Sequence, residues 1–406
     1  MQDLGRRSGG SASDRATGGA ANQLAPGHKT LVQAIDFAPE TSSKAIDNDA
    51  TATQPDQTSD ITRASTPDAA ASATGPLSPS QVAAAIQFHT VQPTKYKKAV
   101  IADIQGAVGI APTGVMNAAT VQAIATRQAA VNADRNPMPP LKVDGKAGPR
   151  TLPILKQVGL ATDEAIDAYT ADVQAMDGLD KAKPEELAER LLAELNLQLK
   201  AVGVPGLNQH DKVKIEPHFS GLITKNWTLT MSRKFLTDPS GPEVAAAAMY
   251  HEARHAEQVF RVARMLAGKH YGASEIAHEL ELERSIANDA VTKVPPLKPG
   301  TTEAVEAEGW HDDEAGEAQK RAAFAAVQKT FLAALLELKK DPKNQQKRDH
   351  ADKLYRAYQV GYVTGYRDTP QEYDAFFLED KLRSKLGAPD GHEFPLLDDV
   401  LKDLDE

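Results

Sequence analysis

The sequence predicts a mainly α-helical protein with a short antiparallel sheet and a disordered N-terminal arm. Residues 1–78 contain Phe37 as their only aromatic side chain. A segment so poor in large apolar groups cannot offset the entropy cost of ordering its backbone. After that point the apolar residues recur mostly at helical spacing, whereas alternation with a period of two is confined to 212–216 and 227–231.

The composition narrows the classes of function. The chain has 406 residues, enough for two or three domains, and its net charge of -10 argues against nucleic acid as a partner. It contains no cysteine, which excludes disulfides and thiolate-bound zinc. It also lacks a secretory signal and an apolar run long enough to span a membrane. We therefore expect a soluble protein that stays in the cytoplasm unless a non-classical route exports it.

Residues 79–160 form the first predicted helical unit, which contains an internal repeat. The segments 113–124 and 144–155 each place a threonine six residues after a glycine, where it can begin a helix. The second copy resembles peptidoglycan-binding-domain-1 modules, which are small three-helix domains, although 132–140 is an insertion relative to that family. The resemblance implies binding to peptidoglycan or to a secretion-apparatus component. A generic helical hairpin with two similar turns is the alternative.

Three further regions complete the predicted organisation. Residues 161–204 are interpreted as a helical connector, and residues 205–395 as the main domain. The acidic tail, 396–406, is expected to be solvated. Within the main domain the apolar spacing predicts helices at 242–268, 273–293, 312–340 and 347–366, and another that begins at Pro370.

A His-Glu-x-x-His motif lies inside the first of these predicted helices. Residues four apart share one face of a helix, so His251 and His255 can bind a single metal ion. Glu252 lies beside them, where its carboxylate can act as a general base toward water. Two imidazoles without thiolates favour zinc over calcium or magnesium. The alternative is a surface helix whose histidines are spaced by four without a ligand.

A catalytic zinc requires a third protein ligand, and two regions offer a carboxylate. One is Glu372, which lies just after a helix start at Pro370 and one turn before the small residue Ala375. The other is the predicted helix after Gly272. Its acidic residues in 275–283 are Glu275, Glu279, Glu281 and Glu283.

Two resemblances favour the first region. The pair Glu372 and Ala375 is similar to the third-ligand helix of several zinc peptidase families, and 251–258 resembles the motif of metallopeptidase domains in contractile-injection-system effectors. Over about 205–390, the resemblance implies a gluzincin-type zincin. Its ligands would be His251, His255 and Glu372, with Glu252 as the base. Asp374 would be a partner that orients a ligand imidazole.

Other residues near these motifs receive simpler interpretations. Arg254 and Glu257 are predicted to form exposed ion pairs on the helix, with contact to substrate as the alternative for Arg254. Tyr362 and Tyr366 are interpreted as core residues, although either hydroxyl could donate to an oxyanion. His311 is interpreted as the start of a helix.

The preferred function is therefore a zinc-dependent peptidase that acts on a protein or peptide substrate and could be exported as an effector. Zinc would polarise the scissile carbonyl, and Glu252 would transfer a proton from water to the leaving amine. Two alternatives remain: a non-catalytic effector or docking protein with a structural or vestigial metal site, and a cell-wall peptide hydrolase directed by 79–160.

Overall fold

The fold is mainly α-helical with one small sheet, as the sequence predicts. The computed structural model describes residues 75–403, apart from 136, 138, 210, 217–219, 313 and 390–395. Residues 1–74 of the predicted disordered arm therefore lie outside the described residues. Ser78 caps the first helix by accepting from the backbone N–H of Gln81, so the predicted arm is followed at once by regular structure.

The described elements follow one another in this order along the chain: α1 (Pro79–Thr90), α2 (Lys98–Ala107), α3 (Ala118–Arg135), α4 (Thr151–Lys156), α5 (Asp163–Ala175), α6 (Pro184–Ala201), β1 (Lys214–Glu216), β2 (Gly221–Ile223), β3 (Thr228–Ser232), α7 (Arg233–Leu236), α8 (Pro242–Gly268), α9 (Ala273–Glu279), α10 (Arg284–Thr292), α11 (Thr302–Asp312), α12 (Glu314–Lys340), α13 (Gln345–Gly361), a π-helical turn (Tyr362–Arg367), α14 (Pro370–Leu386) and α15 (Leu397–Asp403).

A buried glutamine holds the first turn of the repeat in the N-terminal unit. Gln105 accepts from the backbone N–H of Gly114 at 2.8 Å and donates to the Thr120 hydroxyl at 3.0 Å. Gly114 has a φ of +70°, and a Cβ there would lie 2.7 Å from the Lys98 carbonyl oxygen. The turn therefore requires glycine.

The second copy repeats the same arrangement. Gln128 accepts from the N–H of Gly145 at 2.9 Å and donates to the Thr151 hydroxyl at 3.1 Å. The two glutamines are 23 residues apart and the two glycines 31. The second copy therefore has eight more residues between its glutamine and its glycine, and these fall in the predicted insertion. The weak sequence repeat therefore corresponds to two structurally equivalent glutamine-and-glycine turns.

Buried His89 is expected to make this unit sensitive to acid. Its Nδ1 lies 2.8 Å from the Ala85 carbonyl oxygen, and the Ala147 N–H donates to Nε2 at 3.2 Å, so the ring is the neutral Nδ1–H tautomer. Burial lowers the pKa of His89 from 6.5 to about 4. A lowered histidine pKa means that the stabilising neutral form is complete above pH 6.5 and is lost as the pH falls toward 4.

We expect acidification from pH 7 to pH 4 to reduce the free energy of unfolding through His89 by on the order of 3 kcal/mol. Urea denaturation at several pH values measures this effect. His89→Gln can keep an acceptor for the Ala147 N–H without a titrating ring and should flatten the pH dependence. His278→Gln changes an exposed histidine and serves as the control. An equal slope for wild type and His89→Gln would contradict the prediction.

Helix α8 runs through the centre of the main core. Every residue from Val244 to Ala263 is buried, so the helix has no solvent-facing side over that length. Helices α5 and α6 supply part of this core through side chains such as Tyr169 and Leu195, and the Tyr250 hydroxyl donates to the Leu160 carbonyl at 2.7 Å. Residues 161–204, the predicted helical connector, therefore contribute side chains to the main core.

The sheet is mixed, whereas an antiparallel sheet was predicted. Its strand order is β1-β3-β2, with β1 parallel and β2 antiparallel to β3. The reason is the additional strand β2, which turns the chain so that β3 runs in the same direction as β1. β2 has only three residues, too few for an alternating pattern.

The helices differ from the prediction in two places. The helix predicted at 273–293 is divided into α9 and α10, because Thr224 accepts from the N–H of Glu283 and donates to the carbonyl of Glu281, which has a φ of +44°. Helix α11 was not predicted, and His311 lies near its end rather than at a helix start. Buried Trp310 explains the extra helix, because it fills the core beside α8.

Helices α12 and α13 form a hairpin with its own aromatic core, which continues into the π-helical turn. Phe331 stacks on Tyr355 and Tyr358 at centroid distances of 5.1 and 5.4 Å. The acidic tail is not simply solvated, because Leu397 and Val400 of α15 are buried in this core. In the described part of the chain, no helix is long and apolar enough to cross a membrane.

Candidate metal centre

Helix α8 brings the two motif histidines together as the spacing predicts. The Nε2 atoms of His251 and His255 are 3.1 Å apart, and their rings meet edge to face. Both side chains are buried, with 5% and 3% of their surface exposed. Two buried imidazole nitrogens that face each other leave at least one lone pair directed into the same space.

Glu372 of α14 completes the group. Its Oε2 atom lies 3.5 Å from His251 Nε2 and 3.4 Å from His255 Nε2, and among the described residues it has no hydrogen-bond partner. A tetrahedral zinc with bonds of about 2.0–2.1 Å places its ligand atoms about 3.3–3.4 Å apart. The triangle of 3.1, 3.4 and 3.5 Å therefore fits a metal ion bound by His251, His255 and Glu372.

Local sequence positions Glu372 in the first turn of α14. The Thr369 hydroxyl caps the helix by accepting from the N–H of Glu372, and Pro370 occupies the first helical position. Ala375, one turn later, is fully buried, and its small side chain lets α14 pack closely against α8.

The alternative carboxylates do not reach the histidines. Each has another partner: Glu275 accepts from the Gly272 N–H, Glu279 lies 3.4 Å from His311, Glu281 pairs with Lys225 at 3.1 Å, and Glu283 accepts from the Ser285 hydroxyl. Of the two regions left open by the sequence, only the one with Glu372 belongs to the group.

The carboxylates around the two imidazoles favour a positive charge between them. Burial opposes a charge on His251, but Glu372 and Glu379 outweigh it and raise the pKa of His251 to about 10. Burial likewise disfavours an ionised Glu372, yet His255 and His251 hold its pKa well below the ordinary range. The group is therefore built to hold a positive charge at this point.

Glu252 is the fourth chemical group of the site. Its side chain is buried, and its Oε2 atom has no hydrogen-bond partner among the described residues. Burial raises the pKa of Glu252, although the charges of His251 and His255 act in the opposite direction. A carboxylate with a raised pKa and a free oxygen is suited to accept and release a proton.

His255 is oriented through Gln258. Its Nδ1 lies 2.8 Å from Gln258 Oε1, and the Gln258 amide donates to Asp374 Oδ2 at 2.8 Å and to the Gln371 carbonyl at 3.0 Å. Asp374, the predicted partner that orients a ligand imidazole, therefore contacts His255 only through Gln258.

Sequence reasoning missed Glu379 of α14. Its Oε2 atom lies 3.0 Å from His251 Nδ1. The signal was present, because Glu379 follows Glu372 by seven residues, or two helical turns, and shares its face.

Arg254 and Glu257 form an ion pair as predicted, but the predicted exposure is wrong, because both side chains are buried. Arg254 donates to Asp374 at 2.7 Å and to Glu257 at 2.5 Å, and its guanidinium packs over the Trp310 ring. Glu257 in turn accepts from the N–H of Leu160. The pair is buried because α11 and α14 cover the face of α8 that was expected to meet solvent.

The two tyrosines lie at the edge of the site, in the aromatic core of the hairpin. Tyr362 packs edge-on against Phe376, whose ring contacts His251 at a centroid distance of 4.4 Å. Burial and the nearby Glu372 carboxylate raise the pKa of Tyr366 well above its ordinary value. Tyr366 is thus both a core residue and a neighbour of the candidate ligand.

Comparison of the chain with protein-family models, curated proteins and solved structures gave no match. The resemblance to zinc peptidases therefore stays a prediction from the motif.

We expect Glu372→Gln to weaken zinc binding by a factor of at least 100, because it removes the only carboxylate of the described group. Competition with a chromophoric chelator measures the affinity. Glu279→Gln, at one of the alternative carboxylates, should leave the affinity unchanged. The reverse result would show that the third ligand has been misassigned.

Proposed function

We propose that the protein is a zinc-dependent peptidase of the gluzincin type. The observation that carries the proposal is the buried triangle of His251, His255 and Glu372 beside Glu252, whose Oε2 atom has no hydrogen-bond partner among the described residues. A zinc ion bound there supplies Lewis-acid polarisation of a carbonyl and lowers the pKa of water.

Residues of the chain then provide proton transfer, a donor to the oxyanion and exclusion of water. Glu252 takes a proton from the attacking water and passes it to the leaving amine, for which its raised pKa is suitable. Tyr366 keeps its hydroxyl protonated, because burial raises its pKa, and is the candidate donor to the developing oxyanion. Phe376 packs on the His251 ring and excludes water from that side.

Burial favours a second candidate function. His251, Glu252, His255 and Glu372 are 3–7% exposed, so a peptide reaches them only when covering side chains move. A metal held in such a closed site also suits a structural role in a non-catalytic effector or docking protein.

One experiment separates the two functions. Purified protein is analysed for metal content and assayed with unfolded casein and a peptide library, before and after removal and return of zinc. A peptidase contains about one zinc per chain and loses and regains cleavage with the metal. Zinc that raises the melting temperature without any cleavage supports the structural role. Protein that neither contains nor takes up zinc contradicts both.

A further inference from the structure

We infer that Glu379 is a positioning residue that orients His251 for metal binding. The inference rests on the metal-binding part of the proposed function and not on peptide hydrolysis. His251 directs Nε2 toward His255 and Glu372, and its other nitrogen, Nδ1, lies 3.0 Å from Glu379 Oε2. An imidazole that binds a metal through one nitrogen needs an acceptor at the other, because that acceptor sets the tautomer and the ring orientation.

Glu379 is itself held in place. Its other oxygen, Oε1, accepts from Arg383 Nε at 2.9 Å and lies 2.8 Å from Nη2 of the same guanidinium. This two-point contact leaves Oε2 directed at His251. Arg383 also donates to the Pro389 carbonyl and is buried, so the guanidinium is fixed as well.

One stripe of α14 supplies four side chains at or near the His251 ring. Glu372, Phe376, Glu379 and Arg383 recur at helical spacing. They are, in turn, the candidate third ligand, a ring packed on His251, the carboxylate 3.0 Å from its Nδ1, and the guanidinium that holds that carboxylate. The position of α14 on α8 therefore sets both the ligand triangle and the orientation of one imidazole.

The two imidazoles have different partners. His255 Nδ1 faces the neutral amide of Gln258, whereas His251 Nδ1 faces a carboxylate. A carboxylate partner raises the basicity of the metal-binding nitrogen of an imidazole more than an amide partner does. We therefore expect His251 to bind the metal more strongly than His255, because its partner is the Glu379 carboxylate.

Glu379→Gln tests this role with little change of shape. Arg383 has only N–H donors and will take the amide oxygen, so the amide NH₂ is left facing the Nδ1–H of His251, donor against donor. We expect zinc affinity to fall 10- to 100-fold, as measured by chelator competition. We also expect the visible absorption of the cobalt-loaded protein to shift, because cobalt reports the donor strength of its ligands.

Two further variants complete the test. Asp380→Asn alters the next carboxylate of α14, which pairs with Arg367, and should change neither affinity nor spectrum. Arg383→Met removes the contact that holds Glu379 and should lower the zinc affinity less than Glu379→Gln does. It replaces Glu379→Gln if that variant does not melt cooperatively.

The outcomes are distinguishable. Unchanged zinc affinity and an unchanged cobalt spectrum in Glu379→Gln overturn the inference and leave the metal site intact. If Arg383→Met stands in for that variant, its unchanged affinity and spectrum do the same. Equal losses in Asp380→Asn and Glu379→Gln also overturn it, because any change in α14 would then have the same effect. Failure of the wild-type protein to bind zinc or cobalt overturns both this inference and the proposed function.

Discussion

Glu252→Gln is expected to retain zinc and to lower kcat by about 100- to 10,000-fold, the usual contribution of a general base. The amide has nearly the shape of the carboxylate but cannot accept the proton of water. The ligand triangle does not include Glu252, so the metal content should stay at the wild-type level. Metal analysis and steady-state kinetics on the same preparations measure both quantities.

Glu243→Gln is the matched control, because Glu243 lies in the first turn of the same helix, away from the ligands. Its kcat should equal that of the wild type. Full activity in Glu252→Gln would exclude Glu252 as the base. Zinc loss together with activity loss would instead make Glu252 part of the metal-binding group.

Arg254→Met is expected to lower the free energy of unfolding by 3–5 kcal/mol, about the cost of breaking a buried ion pair. Arg254 is fully buried, and its removal leaves Asp374 and Glu257 as carboxylates without their guanidinium. Asp374 also accepts from Gln258, which holds His255, so zinc affinity should fall as well. Urea denaturation of the zinc-free protein measures the stability.

The double variant Arg254→Met with Glu257→Gln should be less destabilised than the sum of the single variants, because both members of one pair are then removed. Arg284→Met, at an exposed arginine, should stay within about 0.5 kcal/mol of the wild type. A loss below 1 kcal/mol in Arg254→Met would show that the buried network contributes little to stability.

Much of the fold was predictable because its signals are local. Helix α8 has the predicted bounds, since Pro242 marks its start and the apolar spacing continues to Gly268. The boundary between α9 and α10 was not predictable, because it depends on hydrogen bonds to Thr224, more than fifty residues earlier in the chain. Strand β2 was missed because three residues carry too little pattern.

The difference between local and distant effects also applies to charge. Arg254 looked exposed, because a charged residue on a helix is usually solvated. Its burial depends on α11 and α14, which pack against α8. Both helices begin more than forty residues after Arg254 in the chain. The indirect role of Asp374 likewise follows from Gln258, which lies between it and His255.

The sequence by itself determined the mainly helical fold class and the facing pair of His251 and His255 with Glu252 beside them. The reason is that helix geometry alone places residues i and i+4 on one face. Only the tertiary structure decided between Glu372 and the carboxylates of 275–283, and only it revealed Glu379. Those choices depend on which helix packs against α8 and at what distance, and side chains far apart in the chain decide this together.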